Sequence, residues 1–341
     1  MVSKRTKNEF DDGQLMPYPF NVGQNQGGVS VTIDNKFLYL TICKAGEGGT
    51  YVNCDIYYSV FSYGEWTEPE LLGPNVNSPN TWESQPSISS DGKTLYYVSD
   101  REGGYGGTDI YKSVKGSNNE WGPAINLGPA LNTSGDESTP FIHTDSQTLY
   151  FSSGEYSDKE KNTFPGHMGL GKKDIFYYRF NSDPPWTKPM NLGYPINSDD
   201  DDIGFFVSTD GRYGYLTSNK LQGAGGWDIY SFELYPDARP EKVLFIKGEL
   251  TDEKSTEPVR EATIEIKNVA TRQITHIPVD EETGKYVIAL PFRNDYIMTV
   301  KSRDHAYETM YIAQRNTKYE IPVKVNFEIK PLEVGATYPL R

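Results

Sequence analysis

The chain has 341 residues, 36% hydrophobic and 13% aromatic, with 32 Gly and 22 Pro spread throughout and no long helical periodicity. Its 33 Lys and Arg are outnumbered by 47 Asp and Glu, a net charge of −14. That argues against nucleic acid and anionic lipid as main partners, since both require a basic footprint. No apolar run is long enough to span a bilayer, and the polar tail of residues 1–14 reads as neither signal nor anchor.

From residue 15 to 238 one phrase recurs at near-constant spacing: Asp55-Ile56-Tyr57, Asp109-Ile110-Tyr111, Asp174-Ile175-Phe176 and Asp228-Ile229-Tyr230. Such a period means a repeat architecture. Short aromatic or β-branched runs precede each triplet, opening with Leu38-Tyr39-Leu40-Thr41 and then Leu95 to Ser99, Leu149 to Ser153 and Tyr215 to Ser218. They read as buried strands. Ahead of these stand tight-turn signals such as Ser90-Asp91-Gly92 and Thr209-Asp210-Gly211. After the first three triplets come Trp, Leu and Gly, as in Trp121, Leu127 and Gly128. Four antiparallel strands per repeat describe a propeller blade, and four repeats predict a four-bladed β-propeller.

The fourth repeat lacks a Trp strand after Tyr230, where Pro236 and Pro240 follow instead. Met16, Pro19, Val22 and Gly23 share the spacing of Trp66, Pro69, Leu72 and Gly73. The N-terminal segment 15–23 is therefore expected to close the last blade as its outermost strand.

Cys43 and Cys54 flank the first Gly-rich loop. If their strands pair as a hairpin they face each other within reach of a disulfide; otherwise they are two half-buried thiols. The third repeat carries one sizeable insertion, Gly154 to Lys173, which is either a binding loop or a solvated one. Past Pro240 the repeat ends. Alternating strands from Phe245 to Val300, with a Thr283-Gly284-Lys285 turn, predict a small β-sandwich over 241–328, with a linker over 329–341.

Nothing in the sequence composes a catalytic or cofactor site. The Gly-rich loops are flanked by strands on both sides, whereas a phosphate cradle opens a helix. The histidines at 143, 167, 276 and 305 are scattered, without zinc-ligand spacing. The chain is thus expected to be no enzyme and to hold no cofactor or metal. Glu83, Glu137 and Asp202 stand five residues before Ile88, Ile142 and Val207, with Gln26 equivalent before Val31. Symmetry would set these acids around the channel rim, to hold Ca²⁺ or a cationic partner, or to make structural hydrogen bonds.

The Asp-Gly turn, Leu-Tyr-Phe-Ser-Ser strand, Gly-rich loop and Asp-Ile-Tyr strand resemble the PD40 (WD40-like, TolB-like) propeller repeat. Residues 246–312, with Gly248, Asp252, Pro258-Val259, Ala262-Thr263, Gly284, Tyr286 and Leu290-Pro291, resemble the carboxypeptidase regulatory-like, transthyretin-like domain. That order is similar to multidomain Bacteroidetes envelope proteins, including type IX secretion components that also carry TPR and OmpA-like parts. The resemblance implies a periplasmic, outer-membrane-associated scaffold whose partners are other envelope or secretion-system proteins. Peptidoglycan would be met only through a domain outside this chain. The alternative is a glycan-binding or glycan-processing propeller module. Loop length and charge concentrate on one side of the predicted blades, so Arg101, Tyr105, Lys172, Lys220 and Trp227, with Asp199, Asp200, Asp201 and Asp202, are expected to border a partner surface.

Overall fold

A computed structural model describes residues 11–22, 25–45, 51–180, 185–218, 228–314, 322–335 and 337. The architecture is all-β, with a single-turn 3-10 helix at Pro236–Ala238 among the described residues. The chain divides into two compact units. One comprises residues 1–143, 148–206 and 214–232, and the other 144–147, 207–213 and 233–341.

Four antiparallel sheets follow one another in sequence. The first holds β1 (Asn25–Val31), β2 (Phe37–Ala45), β3 (Tyr51–Ser62), β4 (Glu65–Trp66) and β5 (Glu70–Leu71). The second runs β6 (Glu83–Ile88), β7 (Thr94–Ser99), β8 (Asp109–Val114) and β9 (Ile125–Asn126). In the third, β10 (Asp136–Ile142) and β11 (Thr148–Gly154) are followed by the insertion, which forms its own ribbon from β12 (Tyr156–Ser157) and β13 (Thr163–Phe164). β14 (Lys173–Arg179) and β15 (Met190–Asn191) complete that sheet. The fourth has β16 (Phe206–Val207), β17 (Tyr213–Ser218) and β18 (Asp228–Glu233).

Apolar clusters fill the space between successive sheets, because each connection carries its side chains onto the next sheet. Leu72 and Val76 pack with Ile88, Leu95, Tyr97 and Tyr111 of the second sheet. Leu131 packs likewise with Ile142, Leu149, Phe151 and Phe176 of the third.

The N-terminal segment behaves as one of these connections, and no strand forms over 15–22, the described part of the expected closing strand 15–23. Residues 15–22 run through turns, and β18 pairs only with β17 among the described residues. Pro17 and Pro19 remove the donors that a strand would need. Instead Phe20, 6% exposed, packs with Leu38, Leu40 and Ile42 of the first sheet, with Met16, Tyr57 and Trp66 around them. The Phe20 ring meets Trp66 edge-on at 5.9 Å. Ile229, in the fourth triplet, stays 71% exposed, whereas Ile56, Ile110 and Ile175 are fully buried.

The second unit contains a sandwich of two four-stranded sheets. One is built on β19 (Val243–Asp252); the other begins with β20 (Ala262–Asn268) and β21 (Ile274–Pro278). β22 (Lys285–Pro291) joins β19, while β23 (Tyr296–Ser302) joins β20 and β24 (Glu308–Ile312) joins β23. The chain then returns through β25 (Val323–Lys324) and β26 (Phe327–Ile329), both parallel to β19. Phe327 and Ile329 are each 1% exposed and belong to the sandwich core. This corrects the linker reading at 329, since the return strand extends through Ile329. Three residues were too short a run to show alternation.

Phe20→Ala should lower unfolding free energy by about 3 kcal/mol, the usual loss for a buried Phe. Leu15→Ala, at a residue 70% exposed, should move it by less than about 0.5 kcal/mol. Urea denaturation of the two variants checks this.

Candidate functional site

The recurring triplets are junctions of side-chain to backbone hydrogen bonds. Asp109 is 2% exposed. Its carboxylate accepts from the Tyr105 N–H at 2.6 Å, the Gly106 N–H at 3.2 Å and the Asn126 amide at 2.7 Å. Asp174 does the same with Leu170, Gly171 and Asn191 at 2.6, 3.1 and 2.7 Å. The Gly-rich loop is therefore folded around a carboxylate of the chain itself. A Cβ on Gly106 would lie 2.1 Å from the Gly135 oxygen, and one on Gly171 would lie 2.5 Å from Ser198 O. Both glycines are required by the approach of the next connection.

The middle residue of each of the first three triplets is sealed by an asparagine from the following connection. The Ile110 N–H donates to Asn132 Oδ1 at 2.9 Å, and Asn132 Nδ2 donates back to Ile110 O at 3.0 Å. Asn77 and Asn197 treat Ile56 and Ile175 in the same way. Each stands four residues after a Gly, at Gly73, Gly128 and Gly193. That recurrence is a signal visible in the sequence outside the triplets themselves.

Glu83 and Glu137 are fully buried and saturated with donors. Glu83 accepts from Ser78 N–H, the Thr81 and Ser99 hydroxyls and Arg101 Nη2 at 2.9, 2.7, 2.6 and 3.0 Å. Glu137 accepts from Thr133 N–H, Thr133 Oγ1 and Ser153 Oγ. Asp202 accepts from Ser198 N–H and Oγ. These acids brace their own connections, and no metal-ligating cluster occurs among the described residues.

Arg101 is a pin rather than a surface contact. Its side chain is 16% exposed, its Nη2 also donates to Val76 O at 2.6 Å, and its guanidinium lies over Tyr111 at 4.9 Å. The buried carboxylate below it draws the cation inward, a pairing that sequence order alone did not reveal. The third repeat has Glu155 where the second has Arg101, and here the insertion supplies a replacement. His167 Nε2 lies 2.8 Å from Leu131 O, the counterpart of Val76 O. Its N–H donates to Ser153 Oγ at 2.9 Å, and its ring packs on Phe151 and Phe176. Burial holds His167 below its ordinary pKa. Glu137, left without a permanent cation, is pushed up by burial to about 7.

The first strands of the first three sheets carry a repeated bulge, and a residue just before the fourth shares its backbone conformation. Gly28, Gln85, Thr139 and Gly204 all have positive φ, at 51°, 55°, 48° and 70°, and each stands three residues before Val31, Ile88, Ile142 or Val207. Gln85 and Thr139 hold this conformation at a cost of order 1–3 kcal/mol each. The strain is held by bonds between sheets. Thr41 Oγ1 accepts the Gln85 N–H at 3.0 Å, and Gln85 Oε1 accepts the Thr139 N–H at 2.6 Å.

Beside the bulge, between β1, β2 and the start of β6, lies a cleft of about 490 Å³. Amides of Asn25, Asn53, Asn80 and Gln85 line it, together with hydroxyls of Thr41, Thr81 and Ser84. Trp82 and Asp100 form one wall, tied by the Trp82 N–H to Asp100 Oδ1 bond at 2.7 Å. Cys43 and Cys54 are disulfide-bonded and also line it, opposite each other in the β2–β3 register. No Lys, Arg or His lines the cleft among the described residues.

The other residues expected at a partner surface do not gather in this cleft. Tyr105 is 49% exposed on the second Gly-rich loop. Lys172 is exposed and pairs with Asp200 at 2.6 Å. Asp199 and Asp201 are exposed beside it, while Asp202 turns into its connection. Lys220 and Trp227 lie outside the described residues.

The sequence matches no family model and no curated protein. Among solved structures the chain is similar to a puromycin-hydrolyzing peptidase of Mycobacterium tuberculosis, at 12% identity and TM-score 0.35, covering 62% of this chain and 28% of that one. It is also similar to an α-L-arabinofuranosidase of Lactobacillus brevis, at 13% identity and TM-score 0.36, with 64% and 74% covered. A putative TolB of Agrobacterium tumefaciens gives 14% identity and TM-score 0.32, with 79% and 91% covered. At these values the similarities assign neither substrate nor reaction. The expectation that the chain is no enzyme draws no support from these comparisons, among which stand a peptidase and a glycosidase.

Two outcomes follow from the buried acids. Arg101→Met strands the Glu83 charge and should cost about 3–5 kcal/mol, against less than about 1 kcal/mol for Lys172→Met at the exposed pair; chemical denaturation compares them. Glu137, raised in the folded state, contributes stability that is full below the unfolded carboxyl pKa of about 4.5 and lost as pH rises through about 7. His167, lowered, works the other way and costs stability as pH falls below 6.5. Glu137→Gln should therefore abolish the loss between pH 4.5 and 7, on the order of 3 kcal/mol, leaving the opposite His167 slope. Urea midpoints measured across that range give the sign.

Proposed function

We propose that the first unit is a TolB-like propeller of four blades, one per sheet, and that it binds glycan in the cleft beside the Gln85 bulge. Trp82 carries the reading. A half-buried indole beside amides, hydroxyls and one carboxylate is the surface a sugar ring requires, with an apolar face to stack and polar groups to take its hydroxyls. The repeated bulges, the inter-sheet bonds and the connections packed on successive sheets support the propeller. The two-sheet sandwich is read as the transthyretin-like domain. The disulfide suits an oxidising compartment, and we place the protein in the periplasm, associated with the outer membrane.

A second reading keeps the loop face as a docking surface for envelope or secretion-system proteins. Met168 at 94%, Tyr194 at 85% and Leu170 at 56% exposure, near Lys172 and Asp199, favour it. The two readings separate on insoluble cell-wall polysaccharide. Under the glycan reading the protein is retained and Trp82→Ala is not, with reducing-end release followed in parallel to detect cleavage. Equal passage of both proteins, with co-purification of an envelope protein lost on Met168→Asp, would favour docking.

A further inference from the structure

We infer that the cleft takes an uncharged saccharide and rejects anionic ones such as uronic acid chains. This rests on the glycan-binding reading above and deepens it. The polar groups of the cleft are already partly committed, and what they have left defines the ligand. Gln85 spends its Oε1 on the Thr139 N–H, so the rest of its amide is the Nε2 donor. Its backbone is fixed by the bulge and by Thr41 Oγ1. That donor therefore holds its place without the ligand ordering it. Gly28 makes the approach possible, since a Cβ there would lie 3.0 Å from Gln85 Cα.

Asp100 spends Oδ1 on the Trp82 N–H, and as a carboxylate it can only accept. A sugar hydroxyl can donate to Asp100 and accept from Gln85 at once. A ligand carboxylate can do neither without meeting Asp100 as a like charge, and no lining cation offsets it among the described residues. Discrimination by an opposing charge is how a site rejects a close analogue that its hydrogen bonds would tolerate. The bond from the Trp82 backbone N–H sets the Asp100 carboxylate beside the residue that carries the indole, so stacking and charge selection act on the same ligand.

The test is calorimetric titration of the full chain with three hexasaccharides: cellohexaose, N-acetylated chitohexaose and hexagalacturonate. At least one neutral chain should bind, and hexagalacturonate should bind at least about tenfold more weakly than it. Trp82→Ala should weaken the neutral chain about tenfold. Gln85→Glu, which keeps an oxygen for the Thr139 amide and loses the donor, should weaken it about as much. Asp100→Asn keeps Oδ1 for Trp82 and should narrow the gap between neutral and anionic chains; its melting temperature checks the fold. Hexagalacturonate binding as tightly as the neutral chains would overturn charge selection and leave glycan binding standing. Binding of none of the three would overturn the glycan reading itself. Neutral binding untouched by both Trp82→Ala and Gln85→Glu would move the site elsewhere and overturn the inference.

Discussion

The first unit depends on side chains that satisfy buried backbone. Between sheets, the connection must cross a strand edge whose N–H and C=O would otherwise be lost to water. Asn77, Asn132 and Asn197 close that gap by pairing both groups of one isoleucine. An unpaired buried backbone group costs about 1–3 kcal/mol, so each asparagine removes two such penalties. Asp109 and Asp174 hold the Gly-rich loops by the same means. With loops and connections both fixed, the apolar clusters between sheets have a defined shape to fill.

Strain and chemistry coincide at the first strands. Thr139 is β-branched and still adopts positive φ, an arrangement rare enough to need outside support. The Gln85 side chain supplies it, and Gln85 is itself strained and supported by Thr41. The chain of support passes from one sheet to the next and runs along the cleft. Rigid polar groups therefore reach the cleft from strands, and mobile loops are not needed to place them.

Much of this was legible in the sequence. Repeats of a whole phrase, with turn residues at fixed offsets, give the successive sheets because local chemistry repeats wherever local geometry does. Cys43 and Cys54 were placed opposite each other by hairpin logic, and the structure has them joined. The closing strand was misread because Met16, Pro19 and Val22 match a spacing, whereas Phe20, outside that match, decides the packing. Arg101 was misplaced for a related reason: charge in a loop suggests exposure, and only the fold brings it over Glu83. The Trp82–Asp100 wall joins residues of a connection and a strand end, so no period could announce it.

His167 has a consequence for how the third repeat can change. The second repeat carries its pin in line, directly after the strand, so the pin does not depend on the length of its loop. The third repeat imports its pin from within the insertion, having Glu155 at the in-line position. The longer loop is thereby tied to the sheet: trimming it to the length of its neighbours would remove the residue that seats Leu131, Phe151 and Phe176. Only restoring an in-line arginine first would make the insertion dispensable, so the order of substitutions matters as much as their identity.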